Sequence, residues 1–371
     1  MAGRIVLLGA TGYTGRLTAQ AMVARGMTPV LAARNLDRMQ ALAGELGADL
    51  ETAVADIARP QAVRGLVERG DVLVSTVGPF ARWGEPAVQA AIAAGAWYLD
   101  SAGETGFIRE VFERHGRGAE AAGCGLLTAA GYDWIPGNLA AALALQEAGR
   151  AAVRVDTGYF VIGAGGMSSL SGGTRASLAG ALAAPSLAWR DGRLVSERGA
   201  RRLRRFTVHG RERPAVSVGT SEAFPVPRLQ PGLREVNTYL GWFGGLSRLM
   251  QVQSAALSAV TRIPGSLSLL DRATGAVVKG SRGGPDADQR AHARSYIVGA
   301  AYDAAGRELA QVHLDGVDGY TFTARFLAWA AQQAATEGFA GTGALGPVDA
   351  FDLPTLESGV AASGILRGRD S

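Results

Sequence analysis

Three glycines near the start of the chain, Gly9, Gly12 and Gly15, lie three residues apart between an apolar stretch and a helical stretch. The first lets the chain turn sharply off a strand, the second lets the backbone approach a diphosphate, and the third lets a helix lie close to that strand. The N–H groups at such a helix N-terminus favour an anion. The pattern predicts a dinucleotide-binding turn, with a glycine-rich hairpin turn as the alternative. Its predicted cofactor contacts are Gly9, Ala10, Thr11, Gly12, Tyr13, Thr14 and Gly15.

The end of the second predicted strand distinguishes between the two nicotinamide dinucleotides. A ribose 2′-hydroxyl is bound there by a carboxylate, whereas a 2′-phosphate requires cations. No acidic residue lies between Arg16 and Leu36, and Arg34 occupies the position of the acid, with Asn35 and Arg38 beside it. We therefore predict NADP(H) as the cofactor. The alternative is that Arg34 is a solvated residue at the start of a helix.

Later strand ends supply further candidate ligands, because ligands bind at the carboxyl ends of parallel strands. Asp56, after the third predicted strand, is expected to meet the adenine end of the cofactor. Asp100 and Glu104, after the fifth, are candidate substrate ligands. For all three carboxylates a helix cap is the alternative. The remaining predicted cofactor contacts are Thr76, Val77, Gly78, Pro79, Phe80 and Gly103.

Tyr132 and Asp133, in the loop after the sixth predicted strand, are the candidate proton donors for a hydride-transfer reaction. A tyrosine keeps its proton at neutral pH, whereas Asp133 needs a raised pKa or acts through water. As alternatives, Asp133 makes an Asx turn and Tyr132 packs in the core. A Tyr-x-x-x-Lys dyad is absent from the sequence, since Lys279 is the single lysine among 37 basic residues.

The elements that would position these residues follow a regular spacing. Five glycines, each after a helical stretch and before an apolar strand, predict successive βα units. The predicted fold class is therefore α/β, a Rossmann-type doubly wound parallel sheet. The glycines are Gly26, Gly47, Gly70, Gly95 and Gly123. The predicted strands are 5–8, 29–33, 51–55, 72–77, 97–100 and 125–129.

Beyond residue 149 longer alternating runs predict a second, α+β domain on a mostly antiparallel sheet with one solvated face. We expect an NADP-binding Rossmann domain over 1–150, a substrate and dimerisation domain over 151–320, and a C-terminal segment over 321–371 that returns to the Rossmann domain. The predicted strands of the second domain are 153–162, 205–209, 215–218, 235–240, 295–301 and 308–314.

Three features of the second domain have open interpretations. Ser171, Thr174 and Arg175 are predicted to bind an anionic group of the substrate, with ordinary helix capping as the alternative. Nine arginines over 190–213 indicate a solvated strand surface or a site for an acidic partner such as a phosphopantetheine carrier. An amphipathic helix over 246–260 predicts core or dimer packing, with a lid or a membrane-surface helix as alternatives.

Composition argues against several other classes of function. Cys124 is the single cysteine, and the four histidines lack ligand spacing, so we predict neither a disulfide nor a metal site. A net charge of +4 over 371 residues does not indicate nucleic-acid binding. With no apolar run of about 18 residues and a first strand beginning at Ile5, we expect no transmembrane segment, no secretion signal and a cytoplasmic location.

Four motifs occur in order along residues 1–145: Gly-Ala-Thr-Gly-Tyr-Thr-Gly, Ser-Thr-Val-Gly-Pro-Phe, Tyr-Leu-Asp-Ser-Ala-Gly-Glu and Gly-Tyr-Asp-Trp-Ile-Pro-Gly-Asn. Together they resemble the saccharopine dehydrogenase-like oxidoreductases, which include saccharopine reductases and trans-acting enoyl reductases and typically bind NADP. Trp134 and the pair Gly137-Asn138 depart from the serine and the Ser-Asp pair of many relatives.

The resemblance implies an NADPH-dependent reductase that acts on a C=N or C=C bond of a small or carrier-linked metabolite. We also expect a homodimer. A non-catalytic NADP(H)-binding regulatory or sensor protein is the alternative, because no sharp acid–base constellation is visible in the sequence.

Overall fold

The computed structural model describes residues 3–163, 185–242, 247, 251 and 283–368. The chain divides into two compact units. The first joins residues 1–135 to 319–365, and the second joins 136–318 to 366–371. The helix Ile135–Ala148, which the sequence prediction includes in the first domain, groups almost entirely with the second unit.

A seven-stranded parallel sheet forms the centre of the first unit. Its strands are β1 (Ile5–Leu8), β2 (Val30–Ala33), β3 (Thr52–Val54), β4 (Val72–Ser75), β5 (Trp97–Asp100), β6 (Gly125–Leu127) and β15 (Gly343–Ala344). The spatial order is β15-β6-β5-β4-β1-β2-β3. Strands β1 to β6 have the Rossmann order, and β15 is added at one edge. Every residue of β1, β2 and β4 is buried, as expected for a parallel sheet covered on both faces. The predicted fold class is confirmed.

Helices alternate with these strands. They are α1 (Tyr13–Ala24), α2 (Leu36–Leu46), α3 (Pro60–Arg64), α4 (Phe80–Trp83), α5 (Glu85–Ala94), α6 (Thr105–Glu110) and α7 (Gly116–Ala122). All five glycines predicted to end helical stretches have positive φ. Gly47, Gly95 and Gly123 are the left-handed C-caps of α2, α5 and α7. These caps confirm the glycine signal, because glycine adopts this conformation without a Cβ clash.

The C-terminal part of the first unit supplies a long helix and an edge strand. The helix Gly319–Thr336 lies against α1, β4 and β5 and buries Phe322 and Phe326. The N–H of Gly3 donates to the carbonyl of Ala335 at 2.9 Å. The strand β15 pairs with β6, and two short helices follow it, Pro347–Ala350 and Leu353–Ala362.

A nine-stranded sheet forms the second unit, with the order β10-β11-β12-β7-β13-β14-β16 and a β8–β9 hairpin joined to β12. The pairing of β12 with β7 is parallel, whereas β7–β13, β13–β14, β10–β11 and β11–β12 are antiparallel. The strands are β7 (Arg154–Gly163), β8 (Pro185–Arg190), β9 (Arg193–Arg198), β10 (Leu203–Val208), β11 (Arg211–Val218), β12 (Glu235–Leu240), β13 (Ala293–Tyr302), β14 (Glu308–Gly316) and β16 (Ile365–Arg367).

The central strands of this sheet are buried on both faces. A Cβ on Gly299 in β13 would lie 2.4 Å from the carbonyl oxygen of Ala140, so the helix Ile135–Ala148 (α8) packs directly on one face. The other face carries a buried aromatic cluster of Phe160, Phe206, Tyr239 and Tyr296. The expectation of one solvated face is therefore wrong for β7 and β13, and exposed positions alternate with buried ones at the edge strand β10.

Candidate active site

The glycine turn after β1 has the close backbone approaches that the sequence predicts. Gly9 has a φ of +88°, and a Cβ there would lie 2.8 Å from Thr76 Oγ1 and from a methyl of Val77. A Cβ on Gly15 would lie 2.2 Å from the carbonyl oxygen of Gly9, so α1 starts against the end of β1. The N–H of Gly12 donates to that same oxygen at 2.9 Å. A larger residue at position 9 or 15 would open the turn.

The first turn of α1 suits a diphosphate. This turn carries no acidic residue, and no side chain caps it, because the residue that precedes Tyr13 is a glycine. Ala10 is buried, whereas Thr11 and Thr14 are half-buried, and the Tyr13 ring meets Tyr320 edge-on at a centroid distance of 5.3 Å. The positive end of the helix dipole therefore faces a short stretch of small and hydroxylated residues, which is a favourable setting for phosphate oxygens.

The end of β2 presents two cations. Arg34 and Arg38 are exposed, and within the described ranges neither guanidinium has a carboxylate partner. The side chain of Asn35 caps α2 by accepting the N–H of Arg38 at 2.9 Å. Asp56 accepts the N–H of Ala58 at 3.1 Å, whereas the N-cap of α3 is Arg59 without a side-chain cap, so the helix-cap alternative is wrong for Asp56. The two arginines have the charge and the exposure that a ribose 2′-phosphate requires.

The loop after β4 is anchored to the end of β1. The N–H and the hydroxyl of Thr76 both donate to the carbonyl of Leu8, at 2.9 and 3.1 Å. Val77 is half-buried, and Gly78 and Pro79 are exposed. Backbone at the carboxyl end of β4 is therefore held beside the glycine turn, where the sequence predicts cofactor contacts.

Asp100, a predicted substrate ligand, is completely buried at the end of β5. Its carboxylate accepts the hydroxyl of Thr128 at 2.8 Å and the N–H groups of Ala102 and Ala129, both at 2.8 Å. Burial raises the pKa of Asp100 to about 6, and these hydrogen bonds oppose the rise. The structure therefore places Asp100 within the protein, bonded to neighbouring loops, and this argues against direct contact with a substrate.

Glu104, the other predicted substrate carboxylate, is half-buried. Its Oε2 accepts the N–H of Phe80 at 2.9 Å, which ties the loop after β5 to the start of α4. The Phe80 ring packs against Phe107 at a centroid distance of 5.6 Å. Glu104 precedes α6 but makes no side-chain cap there, so the helix-cap alternative is wrong for α6, and its carboxylate binds the first N–H of α4 instead.

Asp133 has the environment of a carboxyl group that keeps its proton. Its Oδ1 is buried and accepts no hydrogen bond from any residue that the structure describes. Its Oδ2 faces Gly103, where a Cβ would lie 3.5 Å from that oxygen. Burial raises the pKa of Asp133 to about 7, with no contribution from a neighbouring charge. A carboxyl group near neutrality can both donate and accept a proton at physiological pH.

Tyr132 is packed under the long C-terminal helix. Its N–H donates to Thr323 Oγ1 at 2.9 Å, and its ring lies edge-on to Phe322 at a centroid distance of 6.4 Å. A Cβ on Gly319 would lie 2.9 Å from the ring. The residue is 6% exposed, so its packing role is evident, and its role as a proton donor stays a prediction.

The second unit contains a buried polar cluster that sequence reasoning missed. Tyr159 accepts the N–H of Gly137 at 2.8 Å and donates to Glu222 at 2.9 Å, and Asn138 donates to Ser221 at 3.0 Å. Glu222 is completely buried. A Cβ on Gly137 would lie 2.1 Å from the Tyr159 hydroxyl oxygen, which explains why glycine occupies this position.

Part of the arginine-rich stretch 190–213 is neutralised within the second unit. Arg202 makes two hydrogen bonds to the Glu197 carboxylate, at 2.6 and 2.7 Å, and Arg190 lies 3.5 Å from it. Arg204 pairs with the buried Asp156. The prediction of a solvated arginine surface thus applies to the exposed members. These include Arg193, Arg205 and Arg211.

Several predictions fall beyond the described ranges. Ser171, Thr174 and Arg175 lie outside them, as does nearly all of the predicted helix 246–260. In the part of the chain that the structure describes, no group of three His, Cys, Asp or Glu side chains could hold a metal ion. None of the described helices is long and apolar enough to cross a membrane. Cys124 is buried, and burial raises the pKa of its thiol to about 11.

The order of the parallel strands and the glycine turn define a nucleotide-binding domain of the Rossmann class. Residues 5–124 match the family described as the saccharopine dehydrogenase NADP-binding domain. The predicted resemblance is confirmed for these residues, and so is the predicted NADP cofactor. The arginines at the end of β2 agree with a cofactor that carries a 2′-phosphate.

Curated relatives extend the comparison. A trans-acting enoyl reductase of Mycobacterium leprae is 36% identical over 140 residues, which cover 36% of this chain and 34% of the relative. The same values apply to a trans-acting enoyl reductase of Mycobacterium tuberculosis. Another Mycobacterium tuberculosis relative is 36% identical over 182 residues, 47% of this chain and 43% of its own length. The match thus spans less than half the length of these relatives.

Among solved structures, the apo saccharopine dehydrogenase (L-Glu forming) of Saccharomyces cerevisiae is similar over the whole of both chains, with a TM-score of 0.60 and 14% identity. At that identity the similarity concerns the fold alone. It agrees with the combination of a parallel nucleotide-binding sheet and a mostly antiparallel second sheet.

Proposed function

We propose that the protein is an NADPH-dependent reductase that transfers a hydride to a C=N or C=C bond of a small or carrier-linked metabolite. The observation that carries the proposal is Asp133, a carboxyl group with a pKa of about 7 at the same sheet edge as the NADP-binding glycine turn. The trans-acting enoyl reductases among the relatives favour the C=C bond of an enoyl group. We further propose a cytoplasmic homodimer.

Different residues at this sheet edge would bind different parts of the cofactor. The glycine turn and the start of α1 would hold the diphosphate, and Arg34 and Arg38 would hold the 2′-phosphate. Backbone of Gly78 and Pro79 would lie along the nicotinamide half. When bound, the nicotinamide supplies the hydride, so the protein must contribute orientation and a proton.

Asp133 is the proposed proton source. Reduction of a polarised double bond leaves a carbanion, enolate or amide-like nitrogen that must be protonated, and a positioned acid contributes roughly 10²- to 10⁴-fold in rate. The buried carboxyl group is neutral below its pKa of about 7 and can donate its proton there. Tyr132 is the second candidate. Its ring is packed against the helix start at Gly319, which makes it the less mobile group.

The test measures NADPH oxidation with enoyl thioesters of coenzyme A, pantetheine and a carrier protein, and with cyclic imines. With a reducible substrate, Asp133→Asn should lower kcat at least tenfold, whereas Tyr132→Phe should change it by less than about threefold. Because the neutral carboxyl group is the donor, kcat of the parent should fall as the pH rises through about 7. That pH limb should be missing in Asp133→Asn. Full turnover in Asp133→Asn with an unchanged pH profile would refute this role.

A sensor function is the second candidate, supported by the packed position of Tyr132 and by the missing Tyr-x-x-x-Lys dyad. A sensor should bind NADPH and NADP⁺ with different conformational responses and without turnover. If no compound of the panel is reduced, and protease protection differs between the two cofactor forms, the regulatory function replaces the enzymatic one.

A further inference from the structure

Asp100 contacts both loops that surround Asp133, although it lies too deep to meet a ligand. We propose that Asp100 is a positioning residue, which fixes the loop carrying Asp133 and the facing Gly103 backbone so that the Asp133 carboxyl group stays enclosed for proton transfer. This inference rests on the proposed function.

Two loops enclose the Asp133 carboxyl group and are called its walls. The first wall is the loop after β6. Asp100 accepts the N–H of Ala129 and the hydroxyl of Thr128 with its carboxylate, and the N–H of Ala130 with its main-chain oxygen at 2.7 Å. Ala129 has a φ of +58°, which is uncommon for a residue with a Cβ. Bonds to three successive residues therefore hold a strained turn directly before the loop of Asp133.

The turn at Ala129 is itself bonded to the far side of that loop. The N–H of Trp134 donates to the carbonyl of Ala129 at 3.1 Å, and the N–H of Ile135 donates to the carbonyl of Gly131 at 2.9 Å. Asp133 lies between these closing bonds. A displacement of Ala129 would thus be passed to the residue that follows Asp133.

The second wall is the loop after β5. The Asp100 carboxylate accepts the N–H of Ala102 at 2.8 Å, and the next residue is Gly103, which faces Asp133 Oδ2. The same carboxylate oxygen, Oδ1, accepts the N–H groups of Ala102 and Ala129. One buried atom therefore sets the distance between the two walls of the Asp133 enclosure.

The pKa of Asp133 depends on how completely the two loops enclose its carboxyl group. Tyr98 lies beside Asp100, and burial together with the Asp100 charge raises the pKa of its phenol, which stays neutral. Thr128 and Ser75 are the other polar groups beside Asp100, and neither titrates in this range. No described charged residue interacts with Asp133, whose pKa is raised by burial alone. Looser walls would admit water and lower that pKa toward its ordinary value.

The test follows the Asp133 carboxyl group directly, by NMR titration of the protein labelled with ¹³C at aspartate carboxyl carbons, with Asp133→Asn identifying the resonance. In Asp100→Ala the Asp133 pKa should fall by at least about one unit and kcat at least tenfold, with NADPH affinity within about twofold of the parent. Asp100→Asn keeps an oxygen that accepts both N–H groups. The Asp133 pKa and kcat of this variant should be close to those of the parent. Leu99→Ala, at a fully buried neighbour on β5, should lower stability without moving the Asp133 titration.

An Asp133 pKa in Asp100→Ala equal to that of the parent would overturn the positioning role, whatever the parent reduces. If Asp100→Ala does not fold, Thr128→Val removes one of the bonds to Asp100 and should move the Asp133 pKa downward by a smaller amount. An unmoved titration in that variant overturns the proposal as well. If the parent reduces no substrate, the proposed function is wrong. The NMR titration still measures the Asp133 pKa in that case, so the two failures are distinguishable.

Discussion

We predict that the two exposed guanidinium groups at the end of β2, those of Arg34 and Arg38, determine the preference for NADPH over NADH. Arg34→Ala should weaken NADPH binding by roughly 10- to 150-fold, since a hydrogen bond to a charged group contributes about 1.5–3 kcal/mol. NADH affinity should hardly change, because NADH lacks the 2′-phosphate. Fluorescence titration of both cofactors measures the effect. Arg64→Ala, on α3, removes an equally exposed arginine as the control.

If both arginine variants lose NADPH affinity equally, the effect is one of general charge and Arg34 has no specific role. An unchanged ratio of NADPH to NADH affinity in Arg34→Ala would likewise contradict the assignment. This predicted contact rests on the residue type and on its place at a strand end, both of which are read from the sequence. In sheets of this class a 2′-phosphate lies at the end of the second strand and requires cations there.

The acidic residues show where prediction from residue types stops. Asp100 and Asp133 both lie at the carboxyl edge of the sheet, and the sequence predicts a place in the site for each, Asp100 as a substrate ligand and Asp133 as a proton donor. The structure separates them, because Asp100 is bonded to Thr128 and to two N–H groups, whereas Asp133 Oδ1 has no described hydrogen-bond partner. Two of these partners, Thr128 and Ala129, lie 28 and 29 residues away along the chain, beyond the reach of any local pattern.

Among the elements, those with a strong local signal were predictable. The glycine C-caps give the positions of α2, α5 and α7, since a left-handed residue ends a helix in a way that the sequence displays. The two-residue strand β15 carries no periodicity and forms only because β6 offers an open edge. The β8–β9 hairpin is rich in arginine, and it was missed because charged residues obscure the alternation of its strands.

The glycine turn provides a test at the level of one element. Gly15→Ala should lower the free energy of unfolding by about 1–3 kcal/mol and weaken NADPH binding more than tenfold, because its Cβ would meet backbone at 2.2 Å. Gly44→Ala, in the exposed face of α2, meets nothing within 4 Å and should stabilise the protein by about 0.5–1 kcal/mol. Urea unfolding and cofactor titration of both variants measure these effects. Equal behaviour of the two alanines would contradict a close approach of α1 to β1.

For the whole molecule, the distribution of the chain between two units was the hardest property to infer. The fold class follows from successive βα units, but the end of the first unit at residue 135 has no marker in the sequence. The helix Ile135–Ala148 is apolar around its circumference, so its composition does not tell which unit it covers. Its membership is set by contacts such as that of Ala140 with Gly299, far along the chain.

The nucleotide-binding unit needs both of its chain segments. A fragment of residues 1–150 lacks the helix Gly319–Thr336, whose Phe322, Phe326 and Leu327 are fully buried within the unit, and should show no cooperative thermal transition and no NADPH binding. Loss of three such side chains removes roughly 5–9 kcal/mol of burial, comparable to the whole stability of a domain. A chain that joins residues 1–135 through a short linker to 319–365 restores the helix and β15, and should unfold cooperatively and bind NADPH. Calorimetry and cofactor titration of the two chains decide the matter. Cofactor affinity in the 1–150 fragment equal to that of the full chain would show that the C-terminal segment is dispensable for the site.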